Sequence, residues 1–256
     1  MDFSGKVAIV SGAASGMGLL FSENFADLGG DVVMCDVNTE ALLKCVNNIN
    51  SKGRGRAKGV YCDVADYSSV TSLRDSAAQE FGRIDVVANF AGGTAVRVNK
   101  VDREAYPEFP DVPIEVYDWG IDVNLKGPFY LAHATLSVMR KQGCGLILNI
   151  GSITGAEGAS YGIDYSTAKA GLMYGLTKSL AQYGAKYGIR CVCVSPGPVL
   201  TRASMAKMET MLGRAADPQE IIDLCLFIAS EKGQFINGEN IMIDGGRAAM
   251  PRGWKK

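Results

Sequence analysis

Histidine is almost absent from this chain of 256 residues, where His133 is the only one. A metal site built on several imidazoles is therefore excluded, and a Ser-His-Asp hydrolase would have to use that one ring. His133 falls inside a helical pattern over 129–139, which assigns it a structural role, and no metal is expected. Charge of one sign is lacking too: Lys plus Arg number 26, Asp plus Glu 27. That balance leaves no electrostatic footprint for nucleic acid or an anionic membrane. The basic tail 252–256 is too short for a binding arm. No apolar run approaches the roughly 20 residues that span a bilayer. Residues 1–5 lead straight into a strand-like run, so no leader peptide is expected. The seven cysteines, at 35, 45, 62, 144, 191, 193 and 225, form no CxxC pair and no even framework. Reduced thiols in a cytoplasmic protein fit them best, with Cys191 and Cys193 in one strand-like run.

What is present is a regular alternation of apolar runs and amphipathic runs. Strands are expected at 6–11, 31–36, 56–62, 84–90, 145–151, 190–195 and 240–244. Several are β-branched and continuously apolar, as in Val7–Val10, which suits parallel strands covered on both faces. Helices are expected near 16–28, 39–51, 67–81, 115–141, 163–187 and 218–230. The pattern predicts an α/β fold of Rossmann type. It is a doubly wound, mostly parallel seven-stranded sheet with helices on both faces, in one domain over 1–256. Two stretches break the alternation, 93–114 and 198–217, and long irregular connections of this kind often cover binding sites.

The first strand runs into Ser11-Gly12-Ala13-Ala14-Ser15-Gly16-Met17-Gly18. Gly12 suits a tight turn out of the strand. Gly16 and Gly18 remove side chains where backbone approaches a pyrophosphate or packs on the sheet. The following helix aims its amides at the anion. The second strand ends at Asp36, whose carboxylate can accept hydrogen bonds from both adenosine ribose hydroxyls and would repel a 2′-phosphate. Neither Ser15 nor Val37 brings the positive charge that a 2′-phosphate wants. The expected cofactor is NAD. Asp63-Val64 and Asn89-Phe90-Ala91-Gly92 close the third and fourth strands and should line the same crevice.

Ser152 ends the fifth strand. Thirteen residues on stands Tyr165, followed by Lys169 at i+4 on the same helix face. A phenol ionises near pH 10 and is a weak base at neutrality. A nearby ammonium and the positive ring of NAD⁺ favour phenolate, which makes Tyr165 a credible general base for alcohol oxidation. Ser152 can donate to the substrate oxygen, where charge develops. Tyr161 is in register with the pair, but its neighbours Gly158 to Gly162 suggest a loop.

This order of motifs, joined by Asn124-Leu125-Lys126-Gly127 and Pro196-Gly197, resembles the short-chain dehydrogenase/reductase family over nearly the whole chain. The resemblance implies that Asn124 holds a water linking Lys169 to solvent and that Lys169 also binds the nicotinamide ribose. It implies that Val199 and Thr201, after Pro196, hold the carboxamide, and that Met17 and Val64 meet the cofactor through backbone groups. It also implies two-fold pairing through the 115–141 and 163–187 helices, giving a homotetramer or homodimer. Phe90 departs from the family pattern, which has asparagine there. The stretch after Gly92 is longer than usual, and Arg97, Tyr106, Glu108 and Phe109 are candidates to cover a substrate mouth. The reaction expected is interconversion of a secondary alcohol and a ketone. The substrate class stays open among sugars or polyols, hydroxysteroids and 3-hydroxyacyl compounds. A non-catalytic NAD sensor or scaffold on the same fold is the alternative, and a sugar-nucleotide epimerase would need other glycine spacing.

Overall fold

The computed structural model describes residues 1–94 and 107–251. Arg97, Tyr106 and the tail 252–256 lie outside the described residues. The strands are β1 Val7–Ser11, β2 Asp31–Asp36, β3 Ala57–Tyr61, β4 Val86–Asn89, β5 Gly145–Ile150, β6 Ile189–Pro196 and β7 Asn240–Ile243. They form one sheet in the order β3-β2-β1-β4-β5-β6-β7, and every pairing is parallel. Helices α1 Gly16–Asp27, α2 Thr39–Lys52 and α3 Tyr67–Phe81 cross between the first four strands. Continuously apolar strands are possible here because two separate cores cover the sheet. Ala8, Val10, Val32 and Met34 enter one core with Phe21 and Phe25. Val7, Ile9, Val33 and Cys35 enter the other with Leu73 and Leu131. Alternate residues of each strand therefore feed opposite faces, as the pleat requires.

The expected helix at 115–141 has three parts: α4 Ile114–Ile121, a wide π-helical turn Asp122–Lys126, and α5 Gly127–Gln142. The expected helix at 163–187 is likewise split into α6 Ile163–Ala170, a π-helical stretch Gly171–Leu176 and α7 Thr177–Ala185. The two wide turns meet. A Cβ on Gly171 would stand 3.3 Å from Leu125 Cδ2. The Thr177 hydroxyl donates to the Leu172 carbonyl, five residues back, at 2.7 Å, filling a gap that a wide turn opens. Helix α8, Pro218–Ala229, starts with the capping box formed by Asp217 and Glu220. A short helical turn, Thr154–Glu157, follows β5 and has no counterpart in the hydrophobic pattern.

All seven cysteines are unpaired, and Cys191 and Cys193 do share β6. His133 lies on the exposed face of α5, where its Nδ1 is 2.6 Å from the Tyr67 hydroxyl of α3. No helix among the described residues is long and apolar enough to cross a membrane.

Candidate active site

The sheet order reverses direction between β1 and β4, so their carboxyl ends open a crevice rather than being bridged by one crossover. The glycine turn lies there. Gly12 has φ +66°, and a Cβ on it would come within 2.9 Å of the Ala91 backbone. The Ala91 amide also donates to the Ser11 hydroxyl at 3.2 Å, tying the two strand ends together. A Cβ on Gly18 would collide with the Gly12 carbonyl. Gly16 also has positive φ, but open space stands above it. Ser15 is the N-cap of α1 and makes no side-chain capping bond, and the first helical turn holds no acidic residue. Its amides and positive dipole end are therefore available to an anion, and the turn fits a pyrophosphate. Met17, in that first turn, packs against the core.

Asp36 reaches back over this turn. One carboxylate oxygen accepts the Ala14 amide at 3.1 Å and the other the Asn38 amide at 3.0 Å. Asp63 accepts the Ala65 amide at 2.9 Å, and its own amide donates to the Ser69 hydroxyl at 3.1 Å. Val64 is buried against Gly127, where a Cβ would stand 2.9 Å from Val64 Cγ2. Asn89 is buried and donates to Asn149 at 2.8 Å, while its own Oδ1 has no hydrogen-bond partner. Phe90, the departure from the family pattern, turns into the core beside α1, its ring 5.5 Å from that of Phe21. An apolar side chain there packs where a polar one would need a partner. Pro196 ends β6. Beyond it Val199 is buried and bridges Ala216, and the Thr201 amide donates to the Val199 carbonyl at 2.7 Å.

The four expected catalytic side chains surround the ends of β4 and β5. Lys169 is only 4% exposed and donates to the Ile150 carbonyl at 2.7 Å. Its ammonium is 5.6 Å from the centre of the Tyr165 ring. Burial pulls the Lys169 pKa down to about 8. Ser152, two residues past Ile150, accepts the Thr154 amide at 3.2 Å, a bond that leaves its own proton to donate. Asn124 sits in the wide turn and is fully buried. It donates to the Gly93 carbonyl at 3.0 Å and the Gly120 carbonyl at 2.9 Å, and accepts the Gly93 amide at 3.0 Å. Gly92 lies between the groups: a Cβ on it would meet Asn124 Oδ1 at 2.6 Å and Lys169 Nζ at 3.6 Å. Asn124 and Lys169 thus adjoin one another across a residue that has to be glycine. Tyr161 stands in the loop before α6, nearly half exposed.

Other groups around the site carry no mark in the sequence. Gly93 and the Ile150 carbonyl act through backbone, which leaves no residue-type signal. Asp164, beside Tyr165, is buried with one carboxylate oxygen unpartnered, wedged against Gly120 of α4. Burial raises its pKa. In the sequence it reads as an ordinary acidic residue in a first helical turn.

A doubly wound sheet with a glycine turn at its switch point and a buried Lys beside Tyr defines a dinucleotide-dependent oxidoreductase. Comparison with known proteins makes this specific. Residues 12–248 match the family model described as enoyl-(acyl carrier protein) reductase. A 7alpha-hydroxysteroid dehydrogenase of Bacteroides fragilis is 32% identical, over 95% of each chain. A D-threitol dehydrogenase of Mycolicibacterium smegmatis is 34% identical, over 94% of this chain and 92% of its own. A trans-4-hydroxycyclohexanecarboxylate dehydrogenase of Sinomonas cyclohexanicum is 36% identical, over 95% and 93%. The chain belongs to the short-chain dehydrogenase/reductase family. It is an enzyme that interconverts an alcohol and a ketone with a nicotinamide cofactor, not a non-catalytic sensor or scaffold.

Proposed function

We propose that the enzyme uses NAD and oxidises a secondary alcohol, with Tyr165 as the general base. The observation that carries this reading is the buried Lys169 ammonium, 5.6 Å from the Tyr165 ring at the strand end that bears Ser152. A bound nicotinamide would supply the hydride acceptor for oxidation of the carbinol carbon, or the hydride donor for reduction of a ketone. Tyr165 takes the hydroxyl proton during oxidation and supplies it during reduction. Ser152 donates a hydrogen bond to the substrate oxygen and holds it as charge develops. Lys169 keeps positive charge beside the phenol, favouring phenolate, and binds the nicotinamide ribose. Asn124 fixes the loop after β4 and holds the water that carries the proton from Lys169 to solvent.

For the cofactor, Gly12, Ser15, Gly16, Met17 and Gly18 take the pyrophosphate, and Asp36 takes the adenosine ribose. Asp63, Val64, Asn89, Ala91 and Gly92 line the adenine side. Pro196, Val199 and Thr201 take the carboxamide. The Asp36 carboxylate, already above the turn, supports NAD over NADP because a 2′-phosphate beside it would add like charge.

The substrate belongs to the sugar or polyol, hydroxysteroid or 3-hydroxyacyl classes, and 198–217 shapes its entrance; of the 93–114 stretch, residues 95–106 lie outside the described residues. The aromatic residues Phe129, Tyr174 and Tyr183, each over 40% exposed on α5, the π-helical stretch and α7, support pairing of subunits through these helices into a homotetramer. The space open beside Gly175 supports the same pairing. Seven unpaired thiols support a cytoplasmic location. The test is NADH formation from D-threitol, trans-4-hydroxycyclohexanecarboxylate, a 7α-hydroxysteroid and a 3-hydroxyacyl thioester, run with NAD⁺ and NADP⁺ in parallel. Oxidation of one alcohol with NAD⁺ in preference supports the reading. Preference for NADP⁺ overturns the cofactor assignment.

A further inference from the structure

Arg247 lies in the 3₁₀ turn Arg247–Ala249 that follows β7, and its guanidinium reaches two segments distant in sequence. Nε and Nη2 donate to both carboxylate oxygens of Glu157 at 3.1 to 3.3 Å. Nη1 donates to the Glu209 carbonyl at 3.1 Å. The ion pair is only 26% and 35% exposed on its two sides. A fork meeting a carboxylate in this manner fixes geometry as well as charge.

Each arm leads to the site. Glu157 closes the short turn Thr154–Glu157, whose first amide donates to the Ser152 hydroxyl. Gly155 of that turn rests on α6: a Cβ there would stand 2.9 Å from the Lys169 carbonyl carbon and from the Ala170 amide. On the other side, Glu209 belongs to the 198–217 connection. That connection is also held by the Leu212 amide donating to the Gly245 carbonyl at 3.1 Å. The base of the C-terminal segment is itself pinned, since the Gly197 amide donates to the Ile243 carbonyl at 3.0 Å. One guanidinium therefore joins the turn that holds Ser152 and braces Lys169 to the connection that carries Val199 and Thr201.

We propose that Arg247 is a positioning residue, which clamps the Thr154–Glu157 turn to the 198–217 connection and so holds Ser152 in register with the alcohol. It acts through Glu157 and the Glu209 carbonyl. The inference rests on the roles given above to Ser152, Tyr165 and Lys169. Without the clamp the start of the turn is still seated by Gly155 and by the Ile153 amide, which donates to the Pro196 carbonyl at 2.9 Å, but its Glu157 end loses its tie to the 198–217 connection, and small misplacements at a reacting centre are costly.

The test compares wild type, Arg247→Ala, Glu157→Gln and the double variant, using the alcohol that the wild type oxidises fastest in the four-compound screen. Amide hydrogen exchange is followed in each protein without substrate. Arg247→Ala is expected to lower kcat/KM for the alcohol about tenfold or more while NAD⁺ affinity stays within about twofold. Exchange should rise in both 152–158 and 205–212. The double variant should be no worse than Arg247→Ala alone, because both changes break one interaction. An exchange rise confined to 247–251, additive losses, or unchanged kcat/KM would overturn the proposal. If no alcohol is oxidised by the wild type, the catalytic reading fails by itself, and the exchange arm still decides the clamp.

Discussion

The Lys169 ammonium stands 5.6 Å from the centre of the Tyr165 ring while giving a 2.7 Å hydrogen bond to the Ile150 carbonyl. That placement costs the fold stability, because a buried cation is poorly solvated. The folded protein releases the Lys169 proton near pH 8, whereas an unfolded chain holds it to about pH 10.4. Between those values the unfolded state binds more protons, so stability from this group rises with pH and is lost again as pH falls through 8. Lys169→Met should therefore be more stable than wild type at pH 7, by about 2 kcal/mol once the lost Ile150 bond is allowed for. The gap should close towards pH 10. Thermal unfolding of both proteins across that range measures it, and a wild type that is the more stable at pH 7 contradicts the account of Lys169.

Asp36 makes two hydrogen bonds to backbone amides, one of them to the glycine turn. Removing the carboxylate as Asp36→Ala should weaken NAD⁺ binding about 10- to 100-fold, the range for a hydrogen bond to a charged group. NADP⁺ binding should not weaken in the same proportion, since a repulsion is removed with it. Calorimetric titration of both cofactors separates the two effects.

Asp164 faces Gly120 with one oxygen unpartnered, and its pKa is raised by burial. An acid whose folded pKa is raised favours folding at low pH, and that contribution is lost as pH rises through the folded value. Asp164→Asn should thus gain stability over wild type at pH 7, by about 1 kcal/mol, and the gain should vanish towards pH 3. Urea unfolding at the two pH values checks the sign.

The strands and helices were largely legible because each carries its own period. Val7–Val10 reads as a buried strand and 67–81 as an amphipathic helix without reference to anything distant, and the ends agree to within two residues. The wide turns at Asp122–Lys126 and Gly171–Leu176 were not legible. They arise where Leu125 and Gly171 of two different helices meet, and hydrophobic spacing at this precision does not separate π from α. The site shows the same division. Gly12, Asp36, Ser152, Tyr165 and Lys169 are marked by residue type and position after a strand. The burial of Asp164 depends on Gly120, 44 places earlier, and the Arg247–Glu157 pair spans 90 positions with no local mark.

The proton-transfer role proposed for Tyr165 is isolated by Tyr165→Phe. That change keeps the ring that lies beside Lys169 and removes only the hydroxyl. Oxidation of the best alcohol should fall at least about 100-fold, the lower bound for losing a general base, with the NAD⁺ dissociation constant and melting temperature unchanged. Turnover within a few fold of wild type would contradict the mechanism.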